Sequence, residues 1–340
     1  MSIQILGTAL TAVMPIVLLI VLGWLLRQKG FLTDQFLSVG NKLVFTVCLP
    51  VMLFINVYHI ASVSDIRWDI CLYSVAAVAV LFLLGVVVAL IVTPKPERRG
   101  VLLQCSFRSN FAIIGMPLAT SLGGEAGAAV AAVLSAVVVP VFNVLAVIAL
   151  SVFRREEDGR PVSGRKLLLD MVKNPLINGV VLGVVALLIR QWQVLQFGRV
   201  VFSLQRDLPW LYSAAKDIKS IASPFALLLL GGQFRFSAVK ALWKEVAAGT
   251  VFRTVAAPLL GVGGAVLLGS WGVLQCGTAE YPALVALFGS PVAVSSAIMA
   301  REMHNDEQLA TQLVVWTSVV SVVTVFLTVC LMMSLGLLPG

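Results

Sequence analysis

Long apolar stretches separated by short charged segments constrain this chain more than any other feature of its sequence. A helix needs about 20 apolar residues to cross a hydrocarbon core of roughly 30 Å. Only 12% of the residues are charged, about half the share in soluble domains, so most of the surface is expected to face lipid. We therefore predict an all-α integral membrane protein. Hydropathy predicts ten spans, numbered one to ten, at roughly 5–26, 35–58, 69–92, 100–121, 126–153, 174–193, 211–232, 241–269, 280–300 and 308–336.

The basic residues between the spans predict how the chain is oriented. Most lie in the loops after spans one, three, five, seven and nine, including the connector 154–173, whereas the opposite side has few apart from a basic loop after span six. Because Lys and Arg accumulate in cytoplasmic loops, we predict a multi-pass protein of the cytoplasmic (inner) membrane with both termini outside the cytoplasm. The formal charge of +8 is thus attributed to topology and membrane lipid headgroups, and no nucleic-acid partner is expected.

Four prolines indicate an internal repeat. Pro50 and Pro117 lie 67 residues apart, and Pro224 and Pro291 repeat that spacing at an offset of 174. At the same offset, the Gly-x-Pro of span four falls on the Gly-x-Pro of span nine. Each half contains five spans, an odd number, so the second half must insert upside down. Inverted repeats are typical of secondary carriers, and we predict two inverted five-helix repeats.

The two Gly-x-Pro segments predict interrupted helices. Proline lacks a donor and clashes with the carbonyl four residues earlier, so span four should break near residues 113–117, with Gly115 allowing backbone angles that other residues avoid. Pro291 should break span nine in the same way. Two breaks that cross at mid-membrane would expose backbone groups and helix dipoles to a substrate. The alternative is two ordinary proline kinks.

Polar side chains beside these breaks are the candidate binding groups. Asn110 can donate hydrogen bonds to a carboxylate, and Arg108 can offer a charge-assisted bidentate pair. Arg108 is alternatively close enough to the loop of span three to reach the headgroups. No catalytic residue, metal site or cofactor is predicted. The predicted substrate-binding residues are Asn110, Arg108, Gly115, Pro117, Gly289, Ser290, Pro291, Ser295 and Ser296.

Other charged residues within the spans are expected to compensate one another. Glu245 and Arg253 lie about two turns apart in span eight, so intrahelical or interhelical charge pairing is the preferred interpretation for them. Carboxylates are scarce in the spans, which weakens the interpretation as a cation exchanger. The sequence has no phosphate-binding loop of the Walker A type, no nucleophile elbow and only two histidines, so neither an ATP-driven pump nor an enzyme is indicated.

Several of these segments resemble the auxin efflux carrier family, which includes the plant PIN auxin exporters and many bacterial transporters. The resemblance covers essentially the whole chain. The long cytosolic loop of many plant members is missing, and the second half lacks the full plant crossover motif, so the chain looks like a short, bacterial-type member. The most specific segments are Arg108-Ser109-Asn110 to Gly115-Met116-Pro117, Asn174-Pro175-Leu176-Ile177, Ala222-Ser223-Pro224 to Gly231-Gly232, and Ser290-Pro291 to Met299-Ala300-Arg301-Glu302.

The resemblance implies a bile-acid/sodium symporter-like, NhaA-like fold with broken crossover helices. Scaffold helices 1–2 would occupy residues 1–62, transport-bundle helices 3–5 residues 63–153, the cytosolic loop with scaffold helices 6–7 residues 154–232, and bundle helices 8–10 residues 233–340. The scaffold also suits a homodimer. In plant members an Asn near the crossover proline lies at the substrate site, and Asn110 is the counterpart here.

The resemblance also implies a function. We expect a secondary transporter of small organic acid anions, carboxylates such as malate, malonate or auxin-like acids, that works by an elevator-type alternating-access mechanism. The alternative is a sodium- or proton-coupled cation exchanger of the same fold.

Overall fold

The computed structural model describes residues 2–59, 67–153, 169 and 172–338, without the side chains of residues 2–13, 16, 236 and 237. The predicted loops at 60–66 and 154–168 lie outside the described residues. In the described ranges the regular elements are helices, and extended pairing is confined to one isolated bridge. The helices are α1 (Ser2–Gln28), α2 (Asp34–Leu43), α3 (Leu49–Tyr58), α4 (Trp68–Val92), α5 (Pro96–Phe107), α6 (Met116–Val152), α7 (Pro175–Phe197), α8 (Leu204–Asp207), α9 (Pro209–Gln233), α10 (Phe236–Val251), α11 (Ala257–Ser270), α12 (Glu280–Gly289), α13 (Ser295–Glu302) and α14 (Glu307–Ser334).

Among the described residues, six candidate spans are long and apolar enough to cross a membrane as continuous helices. This confirms a helical, multi-pass membrane protein, whereas the count of ten spans stays a prediction. The interrupted helices account for part of the difference, since α5 and α12 have only 12 and 10 residues. The six are Asp34–Tyr58, Trp68–Val92, Phe111–Val152, Pro175–Phe197, Ala238–Ser270 and Glu307–Ser334.

In the part of the chain that the structure describes, three helices widen by one π turn directly before a proline. Pro50, Pro117 and Pro258 each lie two residues after such a turn. In each case a backbone N–H donates to the carbonyl five residues earlier, as Met116 does to Phe111. The wider turn accommodates a residue that has no N–H and crowds the preceding turn, so the helix continues through the proline. The π turns are Val44–Cys48, Phe111–Gly115 and Phe252–Ala256.

This corrects the predicted position of the first break. The helix is interrupted at residues 108–110, before the π turn, and not at 113–117. Pro117 belongs to the first turn of α6, and Gly115 has ordinary helical angles (φ −65°, ψ −42°). Glycine is instead required by space, because a Cβ on Gly115 would lie 3.1 Å from the carbonyl oxygen of Ala286 and closer still to the Phe111 ring.

The second break lies where the sequence predicts it. Helix α12 ends at Gly289, residues 290–294 are not helical, and α13 begins at Ser295. Pro291 is inside this segment, where its missing N–H leaves the preceding turn without a donor.

Charged residues pair at the two ends of the helices. At one end, Arg98 lies 2.8 Å from Glu245 and 3.0 Å from Asp306; at the other, Arg67 lies 3.2 Å from Glu280. The negative charge of Glu245 is therefore compensated by Arg98 of another helix, which is the interhelical form of the prediction. The pairing of Glu245 with Arg253 is wrong, because the Arg253 guanidinium contacts backbone carbonyls instead.

Candidate functional site

The two helix breaks lie side by side and hydrogen-bond to each other. The Asn110 N–H donates to the Pro291 carbonyl at 2.8 Å, and the Ala293 N–H donates to the Arg108 carbonyl at 3.2 Å. Ser109 and Val292 form an isolated antiparallel bridge between these bonds. Non-helical backbone at membrane depth is tolerated where protein satisfies it, and here each break satisfies the other. We call residues 108–110 and 290–294 the crossover.

A cavity lies between the crossover and the helices α3, α7 and α9. The space between the atoms there amounts to about 560 Å³, open solvent included. Of the predicted site residues, Arg108, Asn110 and Ser295 line this cavity, which we call the crossover cavity. Its walls otherwise come from Leu49, Met52, Leu53, Ser109, Ala112, Ile113, Val139, Phe142, Asn143, Leu176, Ser223, Ala226, Ala293 and Val294.

The other predicted site residues do not line the cavity: they are Gly115, Pro117, Gly289, Ser290, Pro291 and Ser296. Several of them have structural contacts instead. The Ser290 hydroxyl donates to the Ala286 carbonyl at 2.5 Å and is fully buried. Ser296 is also fully buried, and its hydroxyl has no hydrogen-bond partner among the described residues. The break thus places only Ser295, of the three predicted serines, at the cavity.

Arg108 is held inside the protein and does not reach the headgroups. Only 4% of the residue is exposed, and its guanidinium donates to the Asn143 side-chain oxygen at 2.7 Å and to that of Gln104 at 3.4 Å. It also contacts the Met299 sulfur. All of these acceptors are neutral, and within the described part of the chain no carboxylate pairs with this guanidinium. An intramembrane charge without a counterion is costly and points to function.

Two further donors at the crossover cavity have unused hydrogen-bonding capacity. The Asn110 side-chain nitrogen and the Ser109 hydroxyl are buried without a partner in the described structure. Buried polar atoms are nearly always hydrogen-bonded, so such exceptions need an explanation. Together with the Arg108 guanidinium they form a set of donors without enough acceptors. Such a set is suited to a carboxylate, which only accepts hydrogen bonds.

Sequence reasoning missed two polar residues of the cavity wall. Asn143 accepts from Arg108 and donates from its nitrogen to the Val139 carbonyl at 2.8 Å, which fixes the orientation of the amide. Ser223 precedes Pro224 in α9 and lines the cavity from the opposite side. The signal for Asn143 was an isolated amide in the otherwise apolar span five, and Ser223 stood within a segment already noted for its proline.

A second, larger cavity continues from the first. The two share Met52, Ala112, Ile113 and Ser223 as lining residues. It contains about 1060 Å³ of space between the atoms, open solvent included, and also reaches His59 and Lys219. We call it the vestibule. His59 follows the last residue of α3, so the vestibule extends toward the side predicted to be outside the cytoplasm. A basic lining favours the approach of anions.

His59 makes the stability of this region sensitive to pH. Burial, followed by the charges of Lys219, Lys216 and Arg190, lowers the pKa of His59. The folded protein therefore binds this proton less readily than the unfolded chain, in which the pKa of histidine is about 6.5. Folding stability should fall as the pH drops below that value.

We expect the melting temperature of the wild type to fall more steeply between pH 7.5 and pH 5 than that of His59→Gln, which removes the titrating group. Thermal unfolding in detergent at a series of pH values measures this difference. Equal slopes for the two proteins would contradict the assignment.

The donors of the crossover cavity are not accompanied by a metal-binding cluster. Among the described residues, no group of three or more His, Cys, Asp or Glu side chains could hold a metal ion.

No curated protein sequence matches the chain. A family model described as membrane transport protein matches residues 8–329, nearly the entire length. This is a family of transporters and not of enzymes. The chain therefore belongs to the membrane transport protein family, which is that of the auxin efflux carriers.

Proposed function

We propose that this transporter moves small organic acid anions, that is, carboxylates such as malate, malonate or auxin-like acids. The observation that carries the proposal is the Arg108 guanidinium, buried at the crossover cavity with neutral acceptors only. A buried charge without a partner strongly destabilises its site. A bound carboxylate would supply the missing negative charge and accept from Asn110 and Ser109 at the same time.

The residues around both cavities argue against a cation as the main cargo. Sodium and protons would require carboxylates or a comparable set of oxygen ligands. No Asp or Glu lines the crossover cavity or the vestibule among the residues described, whereas Arg108 and Lys219 do. A sodium- or proton-coupled cation exchanger is therefore not favoured.

We also propose that the chain forms ten spans in two inverted five-helix repeats. The matched proline spacings and the direct pairing of the two breaks support this arrangement. The scaffold would consist of α1–α3, α7 and α9, and the transport bundle of α4–α6 and α10–α14. Both cavities are lined by residues from these two groups, as an elevator-type movement of the bundle against the scaffold would require. A homodimer through the scaffold stays a prediction.

The orientation with both termini outside the cytoplasm of the inner membrane is part of the same proposal. Charge pairs between loops support the assignment of these loops to common sides, and the excess of basic residues in the loops after the odd-numbered spans indicates that their side is cytoplasmic. Arg98 follows span three and pairs with Asp306, which follows span nine. On the opposite side, Arg67 and Glu280 connect the loops before spans three and nine.

Asn110→Ala tests the site directly. In the wild type, one or more members of a panel of mono- and dicarboxylates, auxin included, should raise the melting temperature, because a ligand that binds the native state stabilises it. Loss of the Asn110 donor should weaken that binding by about 10-fold, the worth of a hydrogen bond to a charged group. Ligand-induced thermal shift of purified protein, with and without sodium, measures both effects.

The matched control is Asn178→Ala, which removes an exposed amide from α7. It should respond to carboxylates as the wild type does. An unchanged response of Asn110→Ala would contradict the site, and a response of the wild type to sodium or pH alone would favour a cation exchanger instead.

A further inference from the structure

Arg253 is a fully buried charge that the substrate site does not use. It lies in the π turn Phe252–Ala256, has 0% exposure, and lines neither the crossover cavity nor the vestibule. Its guanidinium donates to four backbone carbonyls, and in the described structure no carboxylate pairs with it. Its bonds run from Nε to Ser290 O (3.0 Å), from Nη1 to Phe107 O (3.2 Å), and from Nη2 to Leu287 O (3.1 Å), Phe288 O (3.1 Å) and Ser290 O (2.8 Å).

The carbonyls at the end of α12 lack their ordinary donors because of the break. Residue 291 would donate to Leu287 O in a continuous helix, but proline has no N–H. The Val292 N–H, which would serve Phe288 O, instead donates to the Thr317 hydroxyl at 3.1 Å. Unsatisfied carbonyls inside a membrane cost several kcal/mol each, so a donor in this position is required.

These carbonyls also concentrate negative potential. Phe107 is the last residue of α5, and Leu287 and Phe288 belong to the last turn of α12. Each helix has a partial negative charge at its C-terminus, and the two ends meet at the Arg253 guanidinium. Carbonyl oxygens at the C-terminal ends of half-helices are the groups that coordinate sodium in many secondary carriers.

We propose that Arg253 is a resident cation of the crossover. Its guanidinium takes the carbonyl oxygens that a coupling sodium ion would otherwise require, so the crossover holds together without a bound monovalent cation. Arg253 is thus a positioning residue, which acts on the substrate only through the backbone of Arg108–Asn110 and residues 290–294. The expectation that transport does not depend on sodium rests on the proposed function. The expectation that Arg253 stabilises the crossover is independent of that function.

Chemical rescue tests the role of the side chain without any substrate. Arg253→Ala should melt at least about 5 °C below the wild type, since several buried hydrogen bonds are lost. Millimolar guanidinium or methylguanidinium chloride should recover part of that loss by binding where the side chain was. The wild type should not respond to these salts, and its melting temperature should be equal in sodium and choline chloride.

Two controls make the result specific. Arg199→Ala removes an exposed guanidinium between α7 and α8, and it should show neither the loss nor the rescue. If Arg253→Ala does not fold, Arg253→Lys and Arg253→Gln replace it: the lysine variant, which keeps the charge, should be the more stable. Equal stability of these two variants, absence of rescue in Arg253→Ala, or stabilisation of the wild type by sodium would each overturn the proposal.

Carboxylate uptake into proteoliposomes separates this proposal from the proposed function. Uptake by the wild type should be the same with sodium or potassium as the only alkali cation. Sodium-stimulated uptake would overturn the role of Arg253 and leave anion transport standing. Rescue of Arg253→Ala by guanidinium, together with no carboxylate binding by the wild type, would support the role of Arg253 and contradict anion transport.

Discussion

Replacing Arg108 with glutamine should weaken carboxylate binding by about 100-fold, the usual effect of removing one partner of a buried, hydrogen-bonded charge pair. Glutamine keeps a polar side chain at this position but removes the positive charge that lies in the crossover cavity at 4% exposure. Without that charge, the carboxylate would lose its counterion in a setting that water does not screen. Isothermal titration of purified protein with the carboxylate that gives the largest thermal shift measures the change in Kd.

The same substitution has a second expected effect, on stability in the absence of ligand. Arg108 carries an uncompensated buried charge, so Arg108→Gln should melt at a temperature equal to or above that of the wild type. Arg199→Gln, at an exposed arginine, should change neither quantity. A Kd for Arg108→Gln within about threefold of the wild type would contradict the assignment of Arg108 as the anion partner; lower stability without weaker binding would make Arg108 purely structural.

The sequence predicted the second break correctly and misplaced the first. Pro291 follows Gly289 and Ser290, and the helix stops there. Pro117 also follows a glycine by two positions, but a π turn accommodates it and the interruption lies at residues 108–110. The choice depends on which backbone groups find partners in the other break, as Asn110 N–H does with Pro291 O. A pattern of prolines contains no information about that pairing.

The sequence predicted only some of the polar groups of the site, because their positions also depend on the tertiary packing. Arg108 and Asn110 were chosen by residue type, and both line the crossover cavity. Ser295 lines it as well, whereas Ser296 does not, because the direction of each side chain depends on where helix α13 restarts after the break. Asn143 belongs to a different span altogether, and only the tertiary packing places it 2.7 Å from Arg108.

Arg253 shows that the partner of a buried charge cannot be assigned from distance along the sequence alone. Glu245 was the partner that the intrahelical form of the prediction offered, but this carboxylate pairs with Arg98 of another helix. The actual partners of Arg253 are carbonyls, which every residue possesses and which become available only where Pro291 interrupts the helix. Composition and spacing cannot reveal such a partner until the break itself has been located.

Gly231→Ala should destabilise the protein by about 3 kcal/mol, the upper part of the range for adding a methyl group to a closely packed contact. Gly231 of α9 lies against the Ile20 carbonyl of α1, so close that an added Cβ would overlap it. The contact is reciprocal, because Gly23 of α1 meets the Leu228 carbonyl of α9 in the same way. Backbone atoms cannot turn aside as a side chain can, so the two helices would have to separate. Thermal or denaturant unfolding in detergent measures the loss.

Gly263→Ala is the matched control for this contact, because it adds the same atom to an exposed helical glycine of α11 that has nothing within 4 Å of the new Cβ. There the higher helix propensity of alanine should leave stability unchanged or raise it by up to about 1 kcal/mol. The difference between the two variants isolates the effect of close packing from that of propensity. Equal stability of the two would mean that α1 and α9 are not held in contact through their glycines, and that the scaffold tolerates a wider spacing.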